Sequence, residues 1–328
     1  MIETTDTSAP HITEPATPAS AQHITEPVTP ASASTIPDPA TPASASSVAA
    51  RPTLASASAP IGIFDSGLGG LTVARALADR LPHESFLYLG DTARCPYGPR
   101  PAEEVRAFAA QICRFLQARD VKLIVVACNT ATATALETLQ GSFVIPIIGV
   151  IDPGARAAAR ATRDRRVGVI GTEGTIASGA YERALMGYDA GLQVASIATP
   201  DFVRIVEEGL SHNDDGKVWL PDEFFDLAHR QLDPLVEAGI DTLVLGCTHY
   251  PILAPALQRV VGEDVTLISS AEETAHEVKA TLKRRGNLAP VGALPQRQYL
   301  TTGEPELFMT LGSRIMETPL TDVETVVL

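Results

Sequence analysis

The sequence is poor in charge, in aromatic rings and in cysteine. Of its 328 residues 20% are charged and 5% aromatic, with one tryptophan, four cysteines and a net charge of −14. No cluster of Lys or Arg stands out, so the positive surface that phosphate-tracking nucleic-acid binding needs is missing. Attachment to an anionic membrane is excluded for the same reason. No apolar run reaches the ~18–20 residues that cross a bilayer. The N-terminus has no basic start leading into an apolar stretch, so no secretory signal is expected. The cysteines stand at 95, 113, 128 and 247 without a CxxC pair, which argues against a zinc site or a redox pair. Few, scattered cysteines suit a reducing compartment, and a cytoplasmic location is expected. Lysine is equally scarce: Lys122, Lys217, Lys279 and Lys283 are all there are. None sits in a strand-end motif, so a Schiff-base lysine is not supported, and neither cofactor nor metal is expected.

Residues 1–59 lack Phe, Trp and Tyr altogether. They repeat instead, as HITEPATPASAQ, HITEPVTPASAS and TIPDPATPASAS, with a period of 12. Proline removes amide donors, and nothing in the unit can build an apolar face. The segment is read as a disordered tail.

At Ile61 the texture changes. Val/Ile/Leu-rich runs at 61–64, 85–89, 122–127, 144–150, 166–171, 192–197, 241–246 and 265–268 alternate with amphipathic stretches such as 102–119. Runs without strict alternation indicate strands covered on both faces. Repeated alternation of strand and helix predicts an α/β architecture with one or two parallel sheets. In such sheets ligands gather beyond the carboxyl ends of the strands.

Several of those ends lead into small polar clusters. DSGLGG follows the first strand, DTARCPYG the second, CNTAT the third, and CTHYP the run at 241–246. Gly67, Gly69 and Gly70 invite a dinucleotide reading, but the third glycine of G-x-G-x-x-G falls on Thr72. A tight turn into a helix explains them better. The strings LIVVACNT and LVLGCTHY echo each other, and their cysteines, Cys128 and Cys247, lie 119 residues apart. This points to a duplicated half-unit in which each half presents one thiol to a shared cleft. A thiol on either side of a carbon acid suits inversion: one removes a proton, the other returns one to the opposite face. Cysteine fits because its reference pKa of about 8.5 lies near neutrality. Cys113, on the apolar side of a helix, is expected in the core, and Cys95, in a loop, is given no role.

Taken in order, DSGLGG, GDTARCPYGPR, ACNTATA, GTxxT and GCTHYP resemble the glutamate racemases of the cofactor-independent aspartate/glutamate racemase family, from about residue 60 to about 313. The resemblance implies two pseudo-symmetric α/β domains with largely parallel sheets and an active site between them. The first would span 60–151 completed by 269–328, the second 152–268. It implies that Cys128 serves the D-isomer and Cys247 the L-isomer. Asp65 and Ser66 would contact the substrate ammonium and a carboxylate. Tyr97, Gly98, Asn129, Thr130, Thr248 and His249 would add further contacts, and Thr172 and Thr175 would hold a carboxylate. Asp91 and Glu207 are candidates for catalytic assistance. The implied reaction interconverts L- and D-glutamate, supplying D-glutamate for peptidoglycan. A homodimer is expected, although no motif carries that expectation, and contact with DNA gyrase follows from resemblance only.

The chemistry of the residues agrees. A zwitterion needs an acceptor for its ammonium, which Asp65 offers, and donors for its carboxylates, which Ser66, Asn129, Thr130 and Thr248 offer. His249, two residues after a thiol, would bias its protonation. Plainer readings stay open: Asp65 and Asp91 as turn formers, Glu207 as a solvated helix residue. Arg204 stands where the family often has proline, and residues 211–221, which include Trp219, form a longer polar connection than is usual. An aspartate or hydantoin racemase, a regulatory binding protein and an inactive fold are the competing readings.

Overall fold

The computed structural model describes residues 56–207, 211–212 and 218–328. The tail reading therefore lies almost wholly outside the described residues. From Ile61 the chain runs β1 (Ile61–Asp65), α1 (Leu71–Arg80), β2 (Phe86–Gly90), α2 (Ala102–Gln117), β3 (Leu123–Val126), α3 (Asn129–Ser142), β4 (Ile147–Gly149) and α4 (Ile151–Ala161). It continues through β5 (Arg166–Gly171), α5 (Glu173–Ala177), α6 (Ala180–Tyr188), β6 (Gln193–Ala198), α7 (Pro200–Glu207), β7 (Ser211–His212), β8 (Val218–Trp219) and α8 (Asp222–Glu237). The last elements are β9 (Thr242–Gly246), α9 (Ala254–Val261), β10 (Thr266–Ser269), α10 (Ser270–Arg284), β11 (Arg297–Thr301), α11 (Pro305–Met316) and β12 (Glu324–Thr325).

Two parallel sheets carry the fold. The first has the order β12-β11-β2-β1-β3-β4, the second β10-β9-β5-β6. Among the described residues only the small β7–β8 pair is antiparallel. Strands β1, β2, β3 and β9 are buried along their whole length, which is why they read as continuous apolar runs. Alternate residues feed two cores. Ile61, Ile63, Phe86, Tyr88, Leu123 and Val125 face one side; Phe64, Leu87, Leu89, Ile124 and Val126 face the other. Helix α2 buries Val105, Ala109, Ile112, Cys113 and Leu116, with Glu103 and Glu104 in its first turn, where the helix dipole favours acids. Cys113 is a core residue, as its position on the apolar face predicts.

The predicted strand at 144–150 contracts to Ile147–Gly149. Pro146 has no N–H to give a ladder, and Val150 already caps α4. Strand β11 escaped prediction because Arg297 and Gln298 are exposed and no apolar run marks it.

Register sets the site. Asp65 pairs with Gly90 across β1 and β2, and Phe64 with Val126 across β1 and β3. In the second sheet Gly171 pairs with Gly246. Asp65 and Cys128 thus leave the first sheet at one end, and Thr172 and Cys247 leave the second at matching positions.

One lysine found an unforeseen place. Lys122 Nζ lies 2.5 Å from Glu84 Oε2, both side chains nearly fully buried, and also donates to the Ala57 carbonyl. Glu84 Oε1 accepts the Ala289 N–H at 2.7 Å. The pair thereby ties the start of β3 to the α1–β2 connection and to the segment before β11. Removing one partner of a buried ion pair costs about 3–5 kcal/mol, while removing both costs far less. Urea denaturation should therefore show Lys122→Met strongly destabilised and Lys122→Met with Glu84→Gln restored by at least half.

Candidate active site

Asp65 ends β1 with no solvent exposure. Its Oδ2 accepts the N–H groups of Gly67 at 3.2 Å and Gly70 at 3.0 Å, and Thr248 Oγ1 is 3.5 Å from Oδ1. The glycines of this loop are required by close approach. A Cβ on Gly69 would collide with Thr248 Oγ1 and lie 2.8 Å from His249 Nδ1, and one on Gly70 would lie 2.5 Å from Asp65 Cβ. The loop is further pinned by Tyr88, whose hydroxyl donates to the Gly67 carbonyl at 2.9 Å. Burial raises the Asp65 carboxyl. The charge at His249 and the N–H groups of Gly70 and Gly67 oppose that, and the net shift is upward.

Cys128 follows β3 and is the N-cap of α3, its sulfur accepting the Ala131 N–H at 3.4 Å. Ser66 Oγ lies 3.7 Å from the same sulfur. Burial first, then the Asp65 charge, push this thiol up to about 12, against the Ala131 N–H and Ser66. Asn129 accepts from the Tyr181 hydroxyl at 2.7 Å. Its Nδ2 is buried without a partner among the described residues, so this amide is a donor held for something else.

Three hydroxyls meet beside it. Thr130 Oγ1 and Thr172 Oγ1 are 2.8 Å apart, Thr172 and Thr175 2.9 Å, and Thr130 and Thr175 3.4 Å. Thr172 also caps α5 through the Thr175 N–H. Gly174 N–H donates to the Gly98 carbonyl at 3.0 Å, which fastens the Tyr97-Gly98 loop to the second sheet.

Cys247 follows β9. His249 Nδ1 is 3.5 Å from its sulfur, and His249 Nε2 is 3.2 Å from Glu207 Oε1. That approach is off-line for a hydrogen bond, so the contact is chiefly electrostatic. Burial works against a charge on His249, yet Cys247 and Glu207 outweigh it and hold the imidazole well above its ordinary value. Burial raises Glu207, but His249 and then the Cys95 S–H pull it further down, and the net is below the usual carboxylate range. Arg204 does not disturb this. It points outward on α7, 3.7 Å from Asp201, while Glu207 turns inward.

Ser66, Tyr97, Gly98, Cys128, Asn129, Thr130, Thr172, Glu207, Cys247, Thr248 and His249 all line one cavity of about 20 Å³. Asp65 and Thr175 stand directly behind that wall through Thr248 and Thr172. Asp91 is not part of it. Its carboxylate accepts from Tyr97 Oη, from Arg94 Nε at 2.7 Å and from Thr302 Oγ1 at 2.9 Å, which clamps the 91–98 loop to the end of β11. Sequence reasoning missed Tyr181, which has no local signal, and Cys95, which stands between two motif residues. Cys95 donates its S–H to Glu207 Oε1 at 3.1 Å. Among the described residues no group of three or more His, Cys, Asp or Glu is arranged to hold a metal ion.

The Asp/Glu/Hydantoin racemase family matches residues 71–278. The chain belongs to that family. This racemase is 45% identical over 271 residues to a glutamate racemase of Lysinibacillus sphaericus, covering 83% of this chain and 99% of the relative. Its fold superposes on a glutamate racemase isoform from Bacillus anthracis with a TM-score of 0.77 and 45% identity, covering 82% of this chain and 98% of the other. It likewise resembles a glutamate racemase from Francisella tularensis solved in complex with D-glutamate, with TM-score 0.74, 33% identity, and 83% and 98% coverage. In the racemase described here, Asp91 reads as a clamp, not a proton carrier. Asp91→Asn should lower stability by about 1–3 kcal/mol, read by urea denaturation, and leave the shape of the pH–rate profile unchanged. Loss of one limb of that profile would give Asp91 a proton-transfer role.

Proposed function

We propose that the chain is a glutamate racemase that works by two-cysteine proton transfer. The observation that carries this reading is that Cys128 and Cys247, from equivalent strand ends of two sheets, line one cavity whose other polar groups are mainly donors. A thiolate at Cys247 removes the α-proton of L-glutamate. The electron pair left on Cα is held by the α-carboxylate. The Cys128 S–H then delivers its proton to the opposite face, giving D-glutamate, a thiol at Cys247 and a thiolate at Cys128. The reverse reaction exchanges the roles, so both proton steps are supplied by the chain itself. His249 brings its charge to the Cys247 sulfur, and in this direction Cys128 supplies the protonated thiol.

The remaining groups suit a dicarboxylic amino acid. Asp65 and Ser66 would meet the ammonium and one carboxylate. The unpartnered amide of Asn129 and the hydroxyls of Thr130, Thr172, Thr175 and Thr248 are donors for carboxylate oxygens. The names of the relatives, and the D-glutamate in the Francisella structure, support glutamate as the substrate. A cavity of about 20 Å³ has room for about one water, so substrate reaches the thiols only when the two sheets part. The proposal includes the domain division at 60–151 with 269–328 against 152–268, a homodimer, a cytoplasmic location and supply of D-glutamate for peptidoglycan. No helix among the described residues is long and apolar enough to cross a membrane.

L- and D-glutamate are mirror images, so their equilibrium constant is one and kcat/KM must be equal in both directions. Overall rates therefore cannot separate the two thiols. Elimination can, because it needs only one base: a thiolate takes the α-proton of 3-chloroglutamate, chloride leaves from the β-carbon, and the enamine hydrolyses to 2-oxoglutarate and ammonium. Cys128→Ala and Cys247→Ala should each lower racemisation by about 10²- to 10⁴-fold or more, followed by circular dichroism. Cys128→Ala should keep elimination from the L-configured chloro compound and Cys247→Ala from the D-configured one. Racemisation surviving either substitution would sink the mechanism, and faster turnover of D-aspartate than of D-glutamate would shift the substrate.

The raised Cys128 thiol has its own signature. In Cys247→Ala the burial and the Asp65 charge that raise this thiol remain, so through the mildly alkaline range its thiolate fraction grows about tenfold per pH unit. Iodoacetamide labelling of Cys128, mapped by mass spectrometry, should rise accordingly through the mildly alkaline range. A plateau near neutrality would show an already ionised thiol.

A further inference from the structure

Cys95 lies in the loop between β2 and α2, and its position matters beyond packing. Its sulfur is 3.1 Å from Glu207 Oε1. On its other side, a Cβ built on Gly67 would stand 3.1 Å from it. The thiol is thus clamped between the glycine loop and the carboxylate. The same oxygen, Oε1, is 3.2 Å from His249 Nε2, and His249 Nδ1 is 3.5 Å from Cys247. Three contacts therefore run in line from Cys95 through Glu207 and His249 to one catalytic sulfur.

Glu207 needs an anchor. Its side chain keeps 31% exposure, and with His249 it also borders a wider cavity of about 1210 Å³ lined by Leu68, Thr72 and His276 among others. A glutamate at the edge of such a space has several rotamers open to it. The off-line approach to His249 does not fix which one is taken; the Cys95 S–H does, by choosing Oε1. Cys95 is suited to be a permanent donor, since burial and the adjacent Glu207 charge push its thiol far up.

We propose that Cys95 is a positioning residue for the Cys247 face: its S–H holds Glu207 against His249 and so supports proton transfer at Cys247 but not at Cys128. This rests on the two-cysteine reading above. The hydrogen bonds of Cys128 go elsewhere, to Ser66 and the Ala131 N–H, so the effect is one-sided.

The test isolates each face. Cys128→Ala leaves only Cys247, assayed by 2-oxoglutarate release from 3-chloro-L-glutamate; Cys247→Ala leaves only Cys128, assayed with the D-compound. Adding Cys95→Ala should slow the first about fivefold, the scale of one ordinary hydrogen bond, since S–H is a weak donor, and leave the second within about twofold. Cys95→Ser, which keeps a donor, should restore most of the first. Cys95→Val fills the space without donating and should repeat the loss if Cys95→Ala does not fold. Equal slowing on both faces, or a serine variant as slow as alanine, overturns the proposal and leaves the two-cysteine mechanism standing. Racemisation persisting in the single-thiol parents overturns the mechanism itself, and this inference with it.

Discussion

Asp65 is a carboxylate with no exposure, and the site is organised around making that tolerable. An unpaired buried charge is too costly to keep, so the chain brings N–H groups to one oxygen and Thr248 to the other. Each of these supports dictates something nearby. The N–H groups come from a loop that must be glycine to approach so closely. Thr248 belongs to the second sheet, so satisfying a residue of the first draws the two sheets together. His249 arrives with Thr248 and adds a compensating charge, which in turn calls for Glu207. Asp65, Thr248, His249 and Glu207 thereby form one connected arrangement across the two sheets.

That arrangement resolves an apparent conflict between charge and ligand. A chain of net charge −14 is proposed to bind a substrate with two carboxylates. Net charge acts at long range and is screened within about 8–10 Å at physiological salt. Binding depends on the donors inside that radius, and here they are hydroxyls, an amide and an imidazolium in a space from which water is largely excluded. The overall charge removed nucleic acid from consideration but says nothing about a small anion.

Much of this was legible in the sequence, for identifiable reasons. Parallel strands buried on both faces appear as unbroken Val/Ile/Leu runs, and their ends are where polar residues must be accommodated. Cys128 and Cys247 were conspicuous because each followed such a run. Strand β11 was not legible, because half of it is exposed and its sequence, RQYLT, carries no run. Cys95 and Tyr181 escaped for a different reason. Their importance lies in what they touch across 112 and 52 positions of sequence, and no local pattern encodes a partner that distant. Glu207 shows the limit of motif matching from the other side: the neighbouring Arg204 departs from the family pattern, yet it stays exposed beside Asp201 and Glu207 still reaches His249.

The chain passes between the sheets twice, once from β4 into α4 and once from β10 into α10. These crossings lie side by side, for α10 packs on α4 and a Cβ on Gly154 would stand 3.1 Å from Ser270. Both covalent connections between the sheets therefore lie at one place. The sheets are also fastened by Thr130 against Thr172 and Thr175, and by Gly174 against Gly98. These fastenings use the same hydroxyls that are proposed to hold a substrate carboxylate. A substrate bound as proposed would exchange those bonds for its own, so opening the site and recognising the substrate would draw on one set of atoms.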